Sequence, residues 1–221
     1  MNSNNSLSKT TKLNILSILY NFFNEFIKDF EHTCYPGCNT CCTVDVVCTT
    51  LEVSFLLERV KIPKDIIPTK YYQPNISINE SAYLYLNGQI PPPEKSQRAL
   101  ERCPLLNKEG LCSIYSHRPF ACRAMMSRTK CRKGQEADIH PFLVYVSFVF
   151  MQIIEHLDQG GYSANLWDII KNDSKHFVKN RSFPGLLVPL EYKVRIKSMI
   201  RRILSLEFEN KKLSYYLDIS V

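Results

Sequence analysis

The chain has 221 residues, of which 45% are apolar and 22% are charged, and this composition is typical of a globular protein with one sizeable core. The longest apolar run, from Phe142 to Ile154, is shorter than the roughly twenty residues of a membrane-spanning helix, so a transmembrane segment is excluded. The formal net charge is +7, but that figure counts every cysteine as a neutral thiol.

The N-terminal part predicts a tail followed by a helix. Residues 1–10 are polar, predict a disordered tail and lack the features of a secretory signal, so we expect a cytoplasmic protein. In a reducing compartment, nine cysteines point to metal binding rather than to disulfides. Apolar residues at helical spacing from Leu16 to Phe30 predict a helix whose aromatic stripe belongs to the core.

The first cysteine group reads C-Y-P-G-C-N-T-C-C-T-V-D-V-V-C from Cys34 to Cys48. Gaps of two or three residues let a tight turn aim successive thiolates at one ion, as in zinc and iron-sulfur sites. Pro36-Gly37 and Asn39-Thr40 supply turn-forming residues in these gaps. The side chains of the adjacent Cys41 and Cys42 are expected to diverge, which indicates two neighbouring metal sites.

The segment after this group predicts one helix and then a long connection. Thr49 and Glu52 match a capping box that starts a helix from Thr50 to about Val60. Residues 61–96 are interrupted by prolines and predict an irregular surface connection, which either covers a site or acts as a spacer.

The second cysteine group comprises Cys103, Cys112, Cys122 and Cys131. Residues 107–110 predict a turn and residues 113–117 a helical turn that Pro119 stops, so ligands here come from loops and short turns. We expect the two groups to close on shared metal.

Basic residues surround the second group. Between residues 98 and 133 there are nine Lys or Arg side chains against Glu101 and Glu109. Such an excess can bind nucleic acid or an acidic partner, or it can compensate anionic metal-thiolate centres. Compensation is the preferred interpretation, with Arg118 and Arg123 placed closest to Cys122.

The C-terminal part predicts helices over 141–156, 163–179 and 189–210, the last of them basic and amphipathic. Such a helix can lie on a membrane surface, but packing on its own domain is the preferred interpretation. The expected fold is mainly α, with a small metal-stabilised cysteine-cluster core of loops and short helices packed against flanking helices. The expected organisation is a tail over 1–10, a cysteine-cluster region over 11–135 and a helical extension over 136–215 on the same unit.

The cysteine pattern resembles a known family. A C-x(2,3)-C-x2-C-C cluster, a Glu-led helix, and then C-P-L-L, C-S-I-Y-S-H-R-P and C-R over residues 30–135 are similar to the CxxCxxCC family of bacterial proteins, for which zinc or iron chelation is proposed. The first gap here has three residues instead of the family's usual two. The resemblance implies metal ligands at Cys34, Cys38, Cys41, Cys42, Cys103, Cys112 and Cys122. Cys131 is preferred over Cys48 as the eighth ligand, because it continues the second group.

The resemblance implies a metal-binding protein with a structural, metal-handling or electron-transfer role, and it leaves a protein partner open. Zinc and an iron-sulfur cluster both stay candidates, since Cys103-Pro104 is also typical of ferredoxin ligation.

A flagellin lysine-N-methylase is similar in its cluster, so an iron-sulfur-dependent modifying enzyme is the alternative. The Cys34-x3-Cys38-x2-Cys41 spacing also matches radical S-adenosylmethionine enzymes, whose alternating barrel and Gly-rich stretch this chain lacks. A nucleic-acid-binding zinc module ranks last, and no catalytic residue is identified. His32 and His117 lie near the cysteines and are interpreted as supporting or surface residues.

Overall fold

The computed structural model describes residues 7–35, 37–132 and 137–220, and this part of the chain is mostly helical, as predicted. The helices within these ranges are α1 (Lys9–Phe26), α2 (Thr50–Leu57), α3 (Ile78–Leu86), α4 (Phe120–Ala124), α5 (Pro141–Leu157), α6 (Leu166–Lys171), α7 (Leu190–Ser205) and α8 (Leu213–Leu217). Short 3-10 turns cover Ile27–Asp29, Lys64–Ile66, Tyr115–His117 and Ser174–His176. No helix in the described ranges combines the length and apolarity that crossing a membrane would require.

Five short strands accompany the helices in the described residues. They are β1 (Val47–Thr49), β2 (Tyr162–Asn165), β3 (Val178–Lys179), β4 (Glu207–Phe208) and β5 (Lys211–Lys212). The first three form an antiparallel sheet in the order β1-β2-β3, in which Cys48 pairs with Ala164. The last two form a hairpin directly after α7. The sheet fastens the end of the first cysteine group to the C-terminal half of the chain.

The larger hydrophobic core lies between α1, α4, α5, α7 and α8. Its centre is aromatic: the Phe120 and Phe150 rings stack 5.4 Å apart, and the Phe23 ring meets Phe150 edge-on at 5.1 Å. Such aromatic pairs contribute beyond the area they bury. The predicted apolar stripe of α1 is therefore core, because Leu16, Leu19 and Phe23 are fully buried.

The smaller core lies beneath the cysteine loops. It contains Trp167, which is fully buried, together with Val44, Leu105 and Ile114, and Cys103 and Cys112 pack at its edge. Cys48 of the first group and Cys103 and Cys112 of the second thus share one apolar cluster with residues of α2 and α6.

Several element predictions need correction. Residues 61–96 contain α3, because Ser77 caps it by accepting a hydrogen bond from the Glu80 amide. The helix predicted from 163 to 179 is instead β2, α6 and β3, since residues 163–165 pair with β1. The helix predicted over 189–210 ends at Ser205, where the β4–β5 hairpin turns through Glu209 and Asn210 at positive φ. At the N-terminus α1 already begins at Lys9, and residues 1–6 of the expected tail lie outside the described ranges.

Candidate metal centre

Two successive turns shape the first cysteine loop. The Cys38 amide donates to the Tyr35 carbonyl at 2.9 Å, and the Cys42 amide donates to the Asn39 carbonyl at 3.1 Å. Gly37 adopts a φ of +104°, which glycine reaches without steric cost. The predicted turns around Gly37 and Asn39-Thr40 are therefore present, whereas Pro36 lies outside the described residues.

Main-chain hydrogen bonds bring the two cysteine groups side by side. The Cys103 amide donates to the Cys42 carbonyl at 3.0 Å, and Thr43 forms an antiparallel bridge with Arg102. The Asn39 side-chain amide also donates to the Gly110 carbonyl at 3.1 Å. The backbones of the two groups therefore lie side by side, and the shared metal expected between them stays a prediction.

A tight hairpin and a short helix carry the second group. Leu106 bridges Cys112, and the Gly110 amide donates to the Asn107 carbonyl at 3.1 Å, so the predicted turn at 107–110 is present. The predicted helical turn appears as the 3-10 turn Tyr115–His117. Cys122 lies on α4, a helix that the sequence pattern did not indicate.

Cys34 is held against the segment that follows α4. The Ser127 amide donates to the Cys34 sulfur at 3.3 Å, and the Thr33 amide donates to the Ser127 carbonyl at 2.8 Å. These two bonds place the start of the first loop beside the stretch that leads to Cys131.

The electrostatic neighbours of the thiols divide them into two sets. Burial raises the pKa of Cys34, and the nearby Cys38, Cys41 and Cys131 raise it further, against a hydrogen bond from Ser127. Burial likewise raises the pKa of Cys103, with a further contribution from Cys112.

Cys122 belongs with the second of these sets. Burial raises the pKa of its thiol to about 12, and Cys103 and Cys112 add to the shift. Cys38, Cys41 and Cys131 are therefore neighbours of Cys34, and Cys103 and Cys112 are neighbours of Cys122.

The adjacent Cys41 and Cys42 join the two neighbourhoods. A hydrogen bond to the Cys42 side chain is the main cause that raises the pKa of Cys41, followed by burial. The Cys42 thiol therefore lies near the Cys41 thiol, and the expectation of two neighbouring metal sites stays a prediction. If Cys41 is a ligand of one metal centre and Cys42 is a ligand of the other, the two centres would lie next to one another.

Arg118 supplies positive charge to both neighbourhoods. Its guanidinium lowers the pKa of Cys41 and that of Cys122, against the larger effects that raise them. It is held in place by donating to the Tyr115 carbonyl at 2.7 Å, with its Cζ atom 3.7 Å from the centre of the Tyr115 ring. This position suits compensation of thiolate charge.

All nine cysteines lie within the described residues, and all are free thiols. Thiolates are soft ligands that suit zinc and iron-sulfur clusters, so the chemistry of the donor set fits a chelating role. Over residues 7–35, 37–132 and 137–220, however, no three side chains of His, Cys, Asp or Glu gather closely enough to hold an ion. The thiols in the described part of the chain are therefore neighbours, but their sulfur atoms are not arranged around one common point.

Cys48 is buried, whereas the other eight cysteines are half-buried, and Cys122 is a neighbour of its thiol. Cys48 lies in β1, is 4% exposed and packs into the smaller core with Val53 and Trp167. Burial raises the pKa of its thiol well above the ordinary value. By contrast, Cys131 is partly exposed and lies near Cys34.

Glu52 has a role that capping alone did not reveal. The predicted capping box is present, with the Thr49 amide donating to Oε2 at 2.8 Å. In addition, Oε1 accepts from the Phe120 amide at 2.7 Å and from the Tyr20 hydroxyl at 2.8 Å. This buried carboxylate therefore ties the N-termini of α2 and α4 to α1, and α4 carries Cys122.

Arg123 was expected to lie close to Cys122 and does so, but it is 5% exposed and donates to backbone carbonyls. It donates to the Ser116 carbonyl at 2.8 Å and to the Arg118 carbonyl at 3.0 Å, and its guanidinium lies 4.2 Å from the centre of the Tyr20 ring. These contacts hold the chain between Cys112 and Cys122. His32 is exposed and His117 is half-buried, and neither belongs to a ligand group in the described part of the chain.

A cavity of about 540 Å³ lies next to the cysteine-bearing helix α4. Phe120 and Ala121 form one wall, and Phe148 and Ile154 of α5 contribute apolar surface. Tyr72, Arg98 and the prolines at 91–93 form another wall, so the long connection between the cysteine groups does border a cavity.

These features define a mostly helical protein with two neighbouring groups of free thiols. They are the features of the class of cysteine-rich chelating domains. Residues 33–140 match the model of the CxxCxxCC family, a proposed zinc- or iron-chelating domain. The comparison with curated proteins finds no match, and neither does the comparison with solved structures.

Proposed function

We propose that this protein binds two metal ions or iron-sulfur clusters through eight of its cysteines. The observation that carries the proposal is the pairing of the two groups by the Cys103–Cys42 backbone hydrogen bond, with two thiol neighbourhoods on either side of it. The match to a chelating family supports metal binding in general.

The neighbourhoods suggest how the ligands divide. Cys34, Cys38, Cys41 and Cys131 form the first set, because the last three all act on the thiol of Cys34. Cys103, Cys112 and Cys122 form the second set, and Cys42 completes it because its carbonyl already accepts from the Cys103 amide. Cys48 is left out, since it is buried in the smaller core.

Charge supports this assignment. A divalent ion held by four thiolates carries a net charge of −2, and two such sites would leave −4 on neighbouring loops. Arg118 lies close to both sets, and Arg102 bridges Thr43 beside them. Part of the formal charge of +7 would then be balanced inside the molecule.

The bound group determines the role. Zinc would supply folding free energy to loops that have little core of their own, whereas an iron-sulfur cluster would supply electron transfer. Because no three ligands are gathered in the described ranges, we expect binding to draw the thiols together and to order both loops.

Elemental analysis and visible absorption of protein purified without oxygen test the proposal. We expect two equivalents of zinc, or iron with acid-labile sulfide, in the wild type. Cys34→Ser and Cys103→Ser should each lose one centre and keep the other, and Cys48→Ala is the matched control that should keep both. Retention of both centres in Cys34→Ser or Cys103→Ser would contradict the ligand sets, and absence of metal from the wild type would overturn the proposed function.

The cavity beside α4 favours a second candidate, an iron-sulfur-dependent modifying enzyme. Its volume of about 540 Å³ lies in the range of small-molecule sites, and Ala121 in its wall precedes Cys122. Calorimetric titration of the iron-loaded protein with S-adenosylmethionine tests this candidate. Absence of both heat and spectral change would count against it.

A further inference from the structure

The outer face of α7 combines a concentration of positive charge with exposed aliphatic side chains. The basic residues of this helix are Lys193, Arg195, Lys197, Arg201 and Arg202, and its acidic residue is Glu191. Among the described residues, none of these five basic side chains forms a salt bridge. The helix therefore carries a large share of the formal charge of +7 without local compensation.

The thiols do not neutralise this charge. The buried side of α7, which includes Ile196, Ile200 and Ile203, packs into the larger core, whereas Cys103 and Cys112 lie at the smaller core. Arg195 and Arg202 fold back over the rings of Phe142 and Phe22. Of the other three basic residues, Lys193 and Arg201 are exposed and Lys197 is half-buried.

Leu190 and Val194 lie on the same outward stripe. Residues 190, 194, 197 and 201 follow one another at helical spacing, so they line one face of α7. Leu190 is 83% exposed and Val194 is 78% exposed, although the exposure of aliphatic side chains to water is energetically unfavourable. The stripe is therefore aliphatic at its N-terminal end and basic toward its C-terminal end.

We propose that this face of α7 docks on an anionic lipid surface, with Leu190 and Val194 inserted and Lys193, Lys197 and Arg201 over the headgroups. Interfacial helices place apolar side chains just below the headgroups and basic side chains at their level. Attraction to phosphates alone would explain the charge but would leave the aliphatic residues without a role. For that reason the lipid surface is favoured over a nucleic acid.

Flotation of the full-length protein, with its metal as purified, tests this assignment. Vesicles of phosphatidylcholine with about 30% phosphatidylserine are compared with pure phosphatidylcholine, near 0.1 M salt. We expect binding to the anionic vesicles only. The pair Lys197→Glu/Arg201→Glu should weaken it roughly 30-fold or more, at about fivefold for each basic side chain lost and with added repulsion from the two new carboxylates.

The pair Leu190→Ser/Val194→Ser keeps the charge, and it should weaken vesicle binding about tenfold or more. Lys175→Glu/Lys179→Glu is the matched control, because both lysines are exposed and lie on or near β3, outside α7. All substituted positions other than the half-buried Lys197 are exposed, and the fluorescence of buried Trp167 verifies folding.

Three results would overturn the proposal. They are no binding to anionic vesicles, equal loss in the Lys175/Lys179 control, and binding that ignores the Leu190/Val194 pair. If duplex DNA or RNA binds in the last case and only the charge pair weakens it, the face is a phosphate-binding surface instead. The cysteine variants report separately on the metal centres, so the two proposals can fail independently.

Discussion

Replacing Glu52 by Gln tests whether one buried carboxylate holds helix α4, which carries Cys122, in place. Glu52 is 4% exposed and accepts hydrogen bonds from Tyr20, Phe120 and Thr49. A Gln side chain offers only one acceptor oxygen, so its NH2 group must face a hydrogen-bond donor on the other side. At least one charge-assisted hydrogen bond is then lost, and its donor is left buried.

The expected cost follows from these contacts. A hydrogen bond to a charged group contributes about 1.5–3 kcal/mol, and a buried donor left without a partner costs about 1–3 kcal/mol. Some relaxation is expected, so we predict a loss of about 3 kcal/mol in the free energy of unfolding, measured by urea denaturation of the metal-loaded protein. Because α4 carries Cys122, metal should also transfer faster from the variant to a competing chelator.

Glu58→Gln is the matched control for this experiment. Glu58 caps the other end of α2 and forms an exposed salt bridge with Lys9 at 3.0 Å, with side-chain exposures of 44% and 63%. Such surface pairs contribute about 1 kcal/mol or less. If Glu52→Gln unfolds within about 0.5 kcal/mol of the wild type, the buried carboxylate does not join α1, α2 and α4 as described.

Gly110→Ala should destabilise the protein by about 2 kcal/mol or more and lower metal occupancy, because φ is +80° and a Cβ atom would meet the Asn39 amide at 2.1 Å. Gly88→Ala, at φ +70° with open space around it, should cost only about 1 kcal/mol in the same denaturation assay. Burial raises the pKa of Asp158 to about 6, so the folded state still binds a proton at pH values where the unfolded state has lost it. The free energy of unfolding should therefore fall as the pH rises from about 4 to about 6. Residue 158 cannot titrate in Asp158→Asn, so the free energy of unfolding of the wild type should fall by about 3 kcal/mol relative to that of this variant. A difference between the two proteins that stays constant across this pH range would refute the prediction. If elemental analysis finds zinc, removing it with a strong chelator should lower the free energy of unfolding by about 5 kcal/mol or more, and an unchanged thermal midpoint would contradict a structural role.

Elements with local signals could be predicted from the sequence. The capping box at Thr49 and Glu52, the stripe of α1 and the start of α5 at Pro141 depend on side chains within a few residues of one another. β2 could not be predicted in this way, because its partner strand β1 lies more than a hundred residues away. Pairing with that strand outweighed the helical pattern of residues 163–179.

The chelating class was determined by the sequence alone, because the short spacings between cysteines set which thiols a turn can bring together. The tertiary structure decided which of them are neighbours: Cys131 approaches Cys34, Cys48 is buried beside Trp167, and Glu52 reaches α4. These contacts join residues that are distant along the chain, and their free energy depends on burial and on hydrogen-bond geometry. Neither quantity exists until the chain has folded.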